Sequence, residues 1–192
     1  MPNEPTATDG VAGLVGPNWG IESGFDLQED TDKHYYTPET DDNYPWPNGI
    51  FVEAPYPTAP NGIRLGTDVT ADHLLLYDVT LAGPIEQIEN LPDRQRVIVA
   101  GQAATLLNIN HEGRRLWLKL FPTGSDTGAI SASTAINTEL SINAIGRICI
   151  RQGGQNLRAH LKINNIGATY PTAHAGMIMV EMVEKPVPHN LT

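Results

Sequence analysis

The sequence predicts an all-β protein: an antiparallel β-sandwich, jelly roll or barrel with a long extended N-terminal arm. Its 192 residues include 18 Gly and 15 Pro, a composition that favours turns over long helices. Short apolar runs with two-residue alternation follow one another through the last two thirds of the chain. Residues 1–60 differ from the rest in charge, proline and aromatic content.

Eight short runs have the composition and alternation of β-strands, and about ten residues separate one from the next. They are 73–81, 96–100, 104–110, 114–121, 139–145, 147–152, 157–163 and 177–184. Only residues 84–95 resemble a short helical turn. Many short strands at such spacing are typical of a sandwich, jelly roll or barrel.

Two of these runs predict which residues share a face, because successive side chains of a strand point to opposite faces, and one face of each should lie in a core. In run 114–121, the leucines at 116, 118 and 120 should lie on the face opposite Trp117, Lys119 and Phe121. In run 157–163, the apolar residues at 157, 159, 161 and 163 should oppose Arg158, His160 and Lys162. The turn residues at 110–113 and 153–156 predict two β-hairpins.

The chain divides near residue 62 into an acidic, Pro- and aromatic-rich extended arm (1–62) and a β-rich domain (63–192). Residues 1–60 contain eleven acidic residues against one base, Lys33, whereas residues 61–192 contain eleven of each sign. Nine of the fifteen prolines also lie within residues 1–60. Because proline removes a backbone donor and is excluded from central strands, we expect no regular core there.

Eight of the twelve aromatic residues lie in the same part of the chain, which is unlike the composition of disordered chains. Tyr and Trp commonly anchor interfaces, since they bury a large area and keep a polar tip. The arm therefore either embraces a partner or folds back over an edge of its own sheet, and the two can coexist. The predicted partner-binding residues are Trp19, Phe25, Tyr35, Tyr36, Tyr44, Trp46 and Tyr56.

The sequence predicts no catalytic site. Asp126-Thr127-Gly128-Ala129 and Ile145-Gly146-Arg147 are similar to two elements of retroviral-type aspartic proteases. Only about twenty residues separate them, too few for the flap hairpin that family places between them, so 124–128 is better interpreted as a loop. Gly-x-Ser-x-Gly, the phosphate-binding Gly-x-x-x-x-Gly-Lys-Ser/Thr and Gly-x-Gly-x-x-Gly are all absent from the sequence.

No cofactor or metal site is predicted either. The six histidines are scattered singly, without zinc-ligand spacing, and Cys149 lies in an apolar strand-like run. Oxygen ligands for calcium are available at Glu29-Asp30-Thr31-Asp32 and at Asp41-Asp42, but the EF-hand pattern is absent. Calcium therefore stays an alternative for the arm.

The net charge and the hydropathy of the chain limit the kinds of partner that it is expected to bind. A net charge of -10 argues against sequence-independent nucleic-acid binding, which requires Lys and Arg to neutralise phosphates. No stretch approaches the roughly 20 apolar residues of a membrane-spanning helix. The N-terminus lacks the basic and apolar regions of a signal peptide, so we expect synthesis in the cytoplasm.

This organisation, a disulfide-free β-domain with an extended arm, resembles that of the decoration (cement) proteins of tailed-bacteriophage heads. The resemblance implies a non-enzymatic structural protein on the capsid surface of a virion, made in the host cytoplasm. It further implies a homo-oligomer, with a trimer favoured, whose partners are the major capsid protein or other particle subunits. Two alternatives remain: another phage component, such as a tail, baseplate or minor capsid protein, and a carbohydrate-binding β-sandwich module.

Overall fold

The computed structural model describes residues 9–14, 21–23, 31–36, 46–47, 50–54, 63–76, 97–98, 103–110, 112–121, 128–168 and 174–186. Every regular element within these ranges is a β-strand, and every strand pair is antiparallel. The all-β prediction is therefore confirmed. The strands are β1 (Asp9–Leu14), β2 (Ile21–Ser23), β3 (Thr31–Tyr36), β4 (Trp46–Pro47), β5 (Phe51–Glu53), β6 (Arg64–Leu65), β7 (His73–Leu76), β8 (Val97–Ile98), β9 (Ala103–Asn108), β10 (Arg115–Phe121), β11 (Ile130–Ser131), β12 (Glu139–Ile142), β13 (Ile148–Ile150), β14 (Ala159–Asn164) and β15 (Met177–Met182).

The larger sheet has eight strands in the order β11-β1-β13-β12-β14-β15-β10-β2. Strand β1 pairs not only with β13 but also with β10, which lies near the other end of this order. The sheet therefore curls until six strands (β1, β13, β12, β14, β15 and β10) form a ring of hydrogen-bonded neighbours, here called the ring. Such curling removes sheet edges, which is the usual advantage of a barrel-like arrangement.

A second sheet has five strands in the order β3-β9-β7-β5-β6, and β4 pairs with β8 in a separate two-stranded sheet. The two larger sheets share one hydrophobic core. Phe51, Leu74 and Leu107 of the five-stranded sheet belong to the same buried cluster as Leu118 and Val180 of the ring.

The predicted alternation in β10 explains which of its side chains lie inside the ring. Leu116, Leu118 and Leu120 share one face, as expected, and that face points into the core, whereas Trp117 lies on the outer face. On that outer face Trp117 packs with Met177 and Met179 of β15 in a second, smaller cluster. Strand β15 is therefore buried on both faces along most of its length.

Run 157–163 departs from strict alternation at two points. The register of β14 against β15 shifts between Leu161 and Ile163, so Ile163 joins the outer cluster of Trp117 instead of the core. A bulge of this kind inserts one residue and reverses the side chains that follow it. Arg158, expected on the polar face, is fully buried.

All eight predicted runs contain a strand, but both predicted hairpins are wrong. Strand β9, before the turn at 110–113, lies in the five-stranded sheet, and β10, after it, lies in the ring. The glycine turn at 153–154 joins β13 to β14, which are separated in the sheet by β12. Turn residues permit a reversal of the chain, but the strand that pairs next is decided by packing. The helical turn predicted at 84–95 lies outside the described residues.

The expectation that the arm, 1–62, contains no regular core is wrong for residues 50–54. Ile50, Phe51 and Val52 are buried, and β5 pairs with both β6 and β7. The prolines at 47 and 55 lie outside β5, so neither removes a hydrogen bond from its ladder. Elsewhere the division into arm and domain stays a prediction.

Candidate functional site

The predicted partner-binding residues fall at separate places in the fold. Tyr35 and Tyr36 lie in β3, opposite Ala104 and Ala103 of β9. Trp46 lies in β4, opposite Ile98, and thus in a different sheet. Trp19, Phe25, Tyr44 and Tyr56 lie outside the described residues, so the structure does not bring the seven together, and their role stays a prediction.

Strand β3 is an outer strand of the five-stranded sheet as far as the structure describes it. Its register against β9 shifts between Asp32 and Tyr35, an irregularity of the kind that often occurs at sheet edges. An outer strand offers backbone donors and acceptors on one side to a strand from another chain. Tyr35 and Tyr36 therefore lie on a strand suited to pairing.

Strands β1 and β2 both pair with β10, each with a different part of it. The register pairs Val11 with Phe121 and Ala12 with Leu120, and further along it pairs Ile21 with Leu116. The N-terminal segment thus covers an edge of the sheet in its own chain, one of the two arrangements that the sequence left open.

Between the two sheets lies a group of polar contacts, here called the intersheet junction. It comprises Asp68, Asp72, Gly146, Asn156, Arg158 and Lys185. Asp68 and Asp72 flank the turn that joins β6 to β7, whereas the other four belong to segments that adjoin ring strands.

Arg158 is at the centre of the junction. Its guanidinium donates to the backbone oxygen of Asp68 at 3.0 Å and to that of Ala71 at 2.6 Å. Burial lowers the pKa of Arg158 to about 10, although the nearby carboxylates of Asp72 and Asp68 act in the opposite direction. The planar fork of arginine suits this task, since it can satisfy two carbonyl groups from one position.

The side chain of Asp68 makes a second contact between the same turn and the ring. Asp68 Oδ2 accepts hydrogen bonds from the backbone N–H of Asn156 at 2.6 Å and from its side-chain amide at 3.0 Å. Within the turn, Thr67 and Thr70 bond to one another, and Ala71 donates to the Thr67 carbonyl. The turn is thereby fixed in the conformation that presents its carbonyl groups to the ring.

Asp72 forms the third part of the junction. Its carboxylate contacts His73 Nδ1 at 2.7 Å and Lys185 Nζ at 2.9 Å, and it accepts from the Ala54 N–H at 3.0 Å. Burial alone would raise the pKa of Asp72, but the hydrogen bonds from His73 and Lys185 outweigh it and lower the pKa below 3.8. Lys185 follows β15, so this contact ties the C-terminal side of the ring to β7.

The outer face of the ring carries a more exposed arrangement of charge. Glu181 of β15 lies between Arg115 of β10, at 2.8 Å, and Lys162 of β14, at 3.1 Å. The hydrogen bond from Arg115 is the main cause that lowers the pKa of Glu181, with Lys162 contributing further. These three residues are called the outer ion-pair row. Beside the row, the Trp117 ring stacks on His174 with centroids 4.1 Å apart.

The charged groups of both regions contact other parts of the same chain. Within the described ranges, no group of three or more His, Cys, Asp or Glu side chains is placed to hold a metal ion. The same part of the chain contains no helix long and apolar enough to cross a membrane. The polar contacts of the junction instead join one sheet to the other.

Sequence reasoning missed the intersheet junction. Arg158 lies in a run whose alternation assigns it to the polar face, and nothing local distinguishes it from His160 or Lys162. Its burial depends on a turn some 87 to 90 residues earlier in the chain. The one available signal is the Thr67-x-x-Thr70 spacing, which predicts a hydroxyl-stabilised turn but not its partner.

Comparison with known proteins gives no family assignment. No protein-family model matches the chain, and no curated protein matches it.

Proposed function

We propose that this chain is a non-enzymatic structural protein of a viral particle, a decoration protein that binds and stabilises a phage capsid through its N-terminal segment. The observation that carries the proposal is the separation of charge and aromatic residues along the chain. Residues 1–60 hold eleven of the 22 acidic and eight of the twelve aromatic residues. Such a segment suits a partner with a basic surface and pockets for aromatic side chains.

The strand order supports attachment by a segment of this kind. Strand β3, which includes two of the predicted anchors, is an outer strand among those described. Several weak contacts along one tethered segment raise the total affinity without any single tight site. The partners proposed are the major capsid protein or other particle subunits, with the chain acting as a homo-oligomer, a trimer being favoured, at the capsid surface.

The first test is attachment to the particle. Empty capsids of the virus that encodes the chain, prepared without it, should bind the purified protein to a fixed stoichiometry in co-sedimentation. Antibodies should label the head of intact virions in electron micrographs. Labelling of the tail or baseplate would favour the alternative structural roles, and absence of label from the particle would refute the proposal.

The charge of the arm can be tested without deleting it. Deletion of residues 1–60 is unsuitable, because it removes the buried Phe51 and the strands β1 to β3. Neutralising Asp41 and Asp42 as D41N/D42N should weaken attachment roughly tenfold at low salt, and the difference should shrink as salt screens the charges. The matched control, E112Q/E184Q, neutralises two exposed acidic residues outside the arm. Equal effects of the two variants would exclude the arm as the charged contact.

The aromatic anchors require a separate test. Alanine variants at Trp19, Tyr44 and Trp46 should each leave the unfolding midpoint near that of the wild type. At least one should cost about 2 kcal/mol of attachment free energy, as interface anchors do. If all three attach like the wild type, the predicted contact residues are wrong.

A carbohydrate-binding module is the second candidate, and the outer face of the ring argues against it. Trp117, the only tryptophan after residue 60, is 6% exposed. It packs on Met177 and Met179 and stacks on His174. Sugar-binding platforms require an open aromatic face. A glycan array should therefore give no specific signal.

A further inference from the structure

The seam of the ring is closed by the N-terminal part of the chain. Strand β1 pairs with β10 on one side and with β13 on the other, and it also pairs with β11. Without β1, the described strand β13 would become an edge of an open sheet, and Lys119, Leu120 and Phe121 of β10 would lose their partners on that side. An open edge exposes a row of unpaired backbone groups and recruits another strand.

Strands β1 and β2 pair with the two ends of β10. Strand β1 lies opposite Lys119 to Phe121, and β2 lies opposite Arg115 and Leu116. Both pairings are antiparallel. Strands β1 and β2 are here called the seam segment.

The pairing of the seam segment in its own chain is irregular. Strand β1 has two glycines among its six residues, which weakens a strand. Its register shifts between Ala12 and Leu14, and a single residue pair, Ala12 with Ile148, joins it to β13. Release of this segment therefore costs less than release of a regular central strand.

The charge of the segment is opposite to that of the chain around the ring strands β10 to β15. Residues 112–186 contain eight basic and five acidic residues, whereas β1 and β2 contain two acidic residues, Asp9 and Glu22, and no base. The seam segment includes Glu22 next to Ser23, which lies opposite Arg115. The same complementarity exists whether the segment comes from its own chain or from another.

We propose that the seam segment is exchanged between copies of this chain, so that β1 and β2 of one copy pair with β10 of a second copy and close its ring. Exchange of an identical element is a low-cost route to oligomers, because the contacts formed are those already present in one chain. Residues 24–30, which join the segment to β3, span at most about 25 Å when extended, so the two copies must be neighbours. The inference holds whether or not the assembly is a viral particle.

Disulfide trapping tests the exchange in the full-length chain. In a Cys149→Ala background, one copy carries Ser23→Cys and a differently tagged copy carries Arg115→Cys, and the two are co-expressed and oxidised. Exchange predicts a disulfide between the two tagged chains, at least tenfold above the control. The control replaces Arg115→Cys by Arg151→Cys, another partly exposed arginine that lies outside β10.

A single chain with both Ser23→Cys and Arg115→Cys reports on the arrangement within one copy. Exchange predicts that its oxidation yields covalent oligomers whose share rises with protein concentration. Exclusive formation of the intramolecular disulfide at every concentration would overturn the proposal. Absence of any disulfide in either experiment would also overturn it, because β2 would then not pair with β10. Neither result bears on capsid attachment, so the two proposals fail separately.

Discussion

The intersheet junction and the outer ion-pair row use the same residue types in opposite environments. At the junction, Arg158 is fully buried, and its two terminal nitrogens donate to backbone carbonyl groups of the turn that joins β6 to β7. In the row, Arg115 keeps 43% of its side chain exposed and pairs with the Glu181 carboxylate of the neighbouring strand. Both arginines make good hydrogen bonds, so geometry alone does not separate them.

The difference shows that burial, and not the number of ion pairs, decides how much a charge matters here. Removal of one partner from a buried contact leaves other polar groups without solvent or partner. Removal of one partner from an exposed pair costs little free energy, because water replaces the missing partner. The junction should therefore control the stability of the fold, whereas the row should mainly set the charge of the surface.

The largest expected effect is at Arg158. Arg158→Ala should lower the free energy of unfolding by about 3–5 kcal/mol, because the carbonyl groups of Asp68 and Ala71 lose a buried donor. Urea denaturation gives the value, and Arg151→Ala is the control, since Arg151 is exposed and pairs with Glu139 at the surface. If the two variants are equally stable, burial does not distinguish the junction.

Gly146 tests the junction through the backbone. Its φ is +69°, and an added Cβ would lie 2.6 Å from the Phe51 carbonyl oxygen, at the point where the Phe51 N–H donates to the Gly146 carbonyl at 2.8 Å. Gly146→Ala should lower the free energy of unfolding by about 1–3 kcal/mol. Gly153→Ala is the control, because a Cβ there meets nothing within 4 Å. If Gly146→Ala and Gly153→Ala lower the free energy of unfolding by similar amounts, the close contact at the turn between β12 and β13 is not the cause.

Asp72 gives the junction a dependence on pH. Its folded pKa lies below 3.8, so its contribution is fully present above that value and is lost as the pH falls through the folded pKa. Asp72→Asn should cost about 1–3 kcal/mol at neutral pH, because His73 and Lys185 lose a charged acceptor. The gap between wild type and variant should close in acid, as followed by denaturation at a series of pH values. If the difference in free energy of unfolding between wild type and Asp72→Asn does not change with pH, the carboxylate charge contributes nothing to stability.

The smallest effect is expected in the outer ion-pair row. Arg115→Ala should change the free energy of unfolding by no more than about 1 kcal/mol, and added salt should reduce the difference further. Lys162 remains beside Glu181 in that variant and partly replaces the lost charge. A loss comparable to that of Arg158→Ala would remove the contrast between the two regions.

Strand positions could be predicted because alternation is a local property. The spacing of Leu116, Leu118 and Leu120 predicted that they share one face of a strand, and the structure shows that this face lies in the core. The strands β1 to β3 were missed, since glycine, proline and charged residues in that region obscure any alternation. These strands pair with β9 and β10, which are distant in the chain, and no local pattern specifies such partners.

The sequence by itself determined the all-β class, the positions of eight strands and the concentration of acidic and aromatic side chains within residues 1–60. Only the tertiary structure decided that Arg158 is buried, that β9 and β10 lie in different sheets, and that β1 closes the ring. Alternation fixes the two faces of a strand, because successive side chains point in opposite directions. It leaves open which strands become neighbours, since that depends on how distant segments fill one shared core.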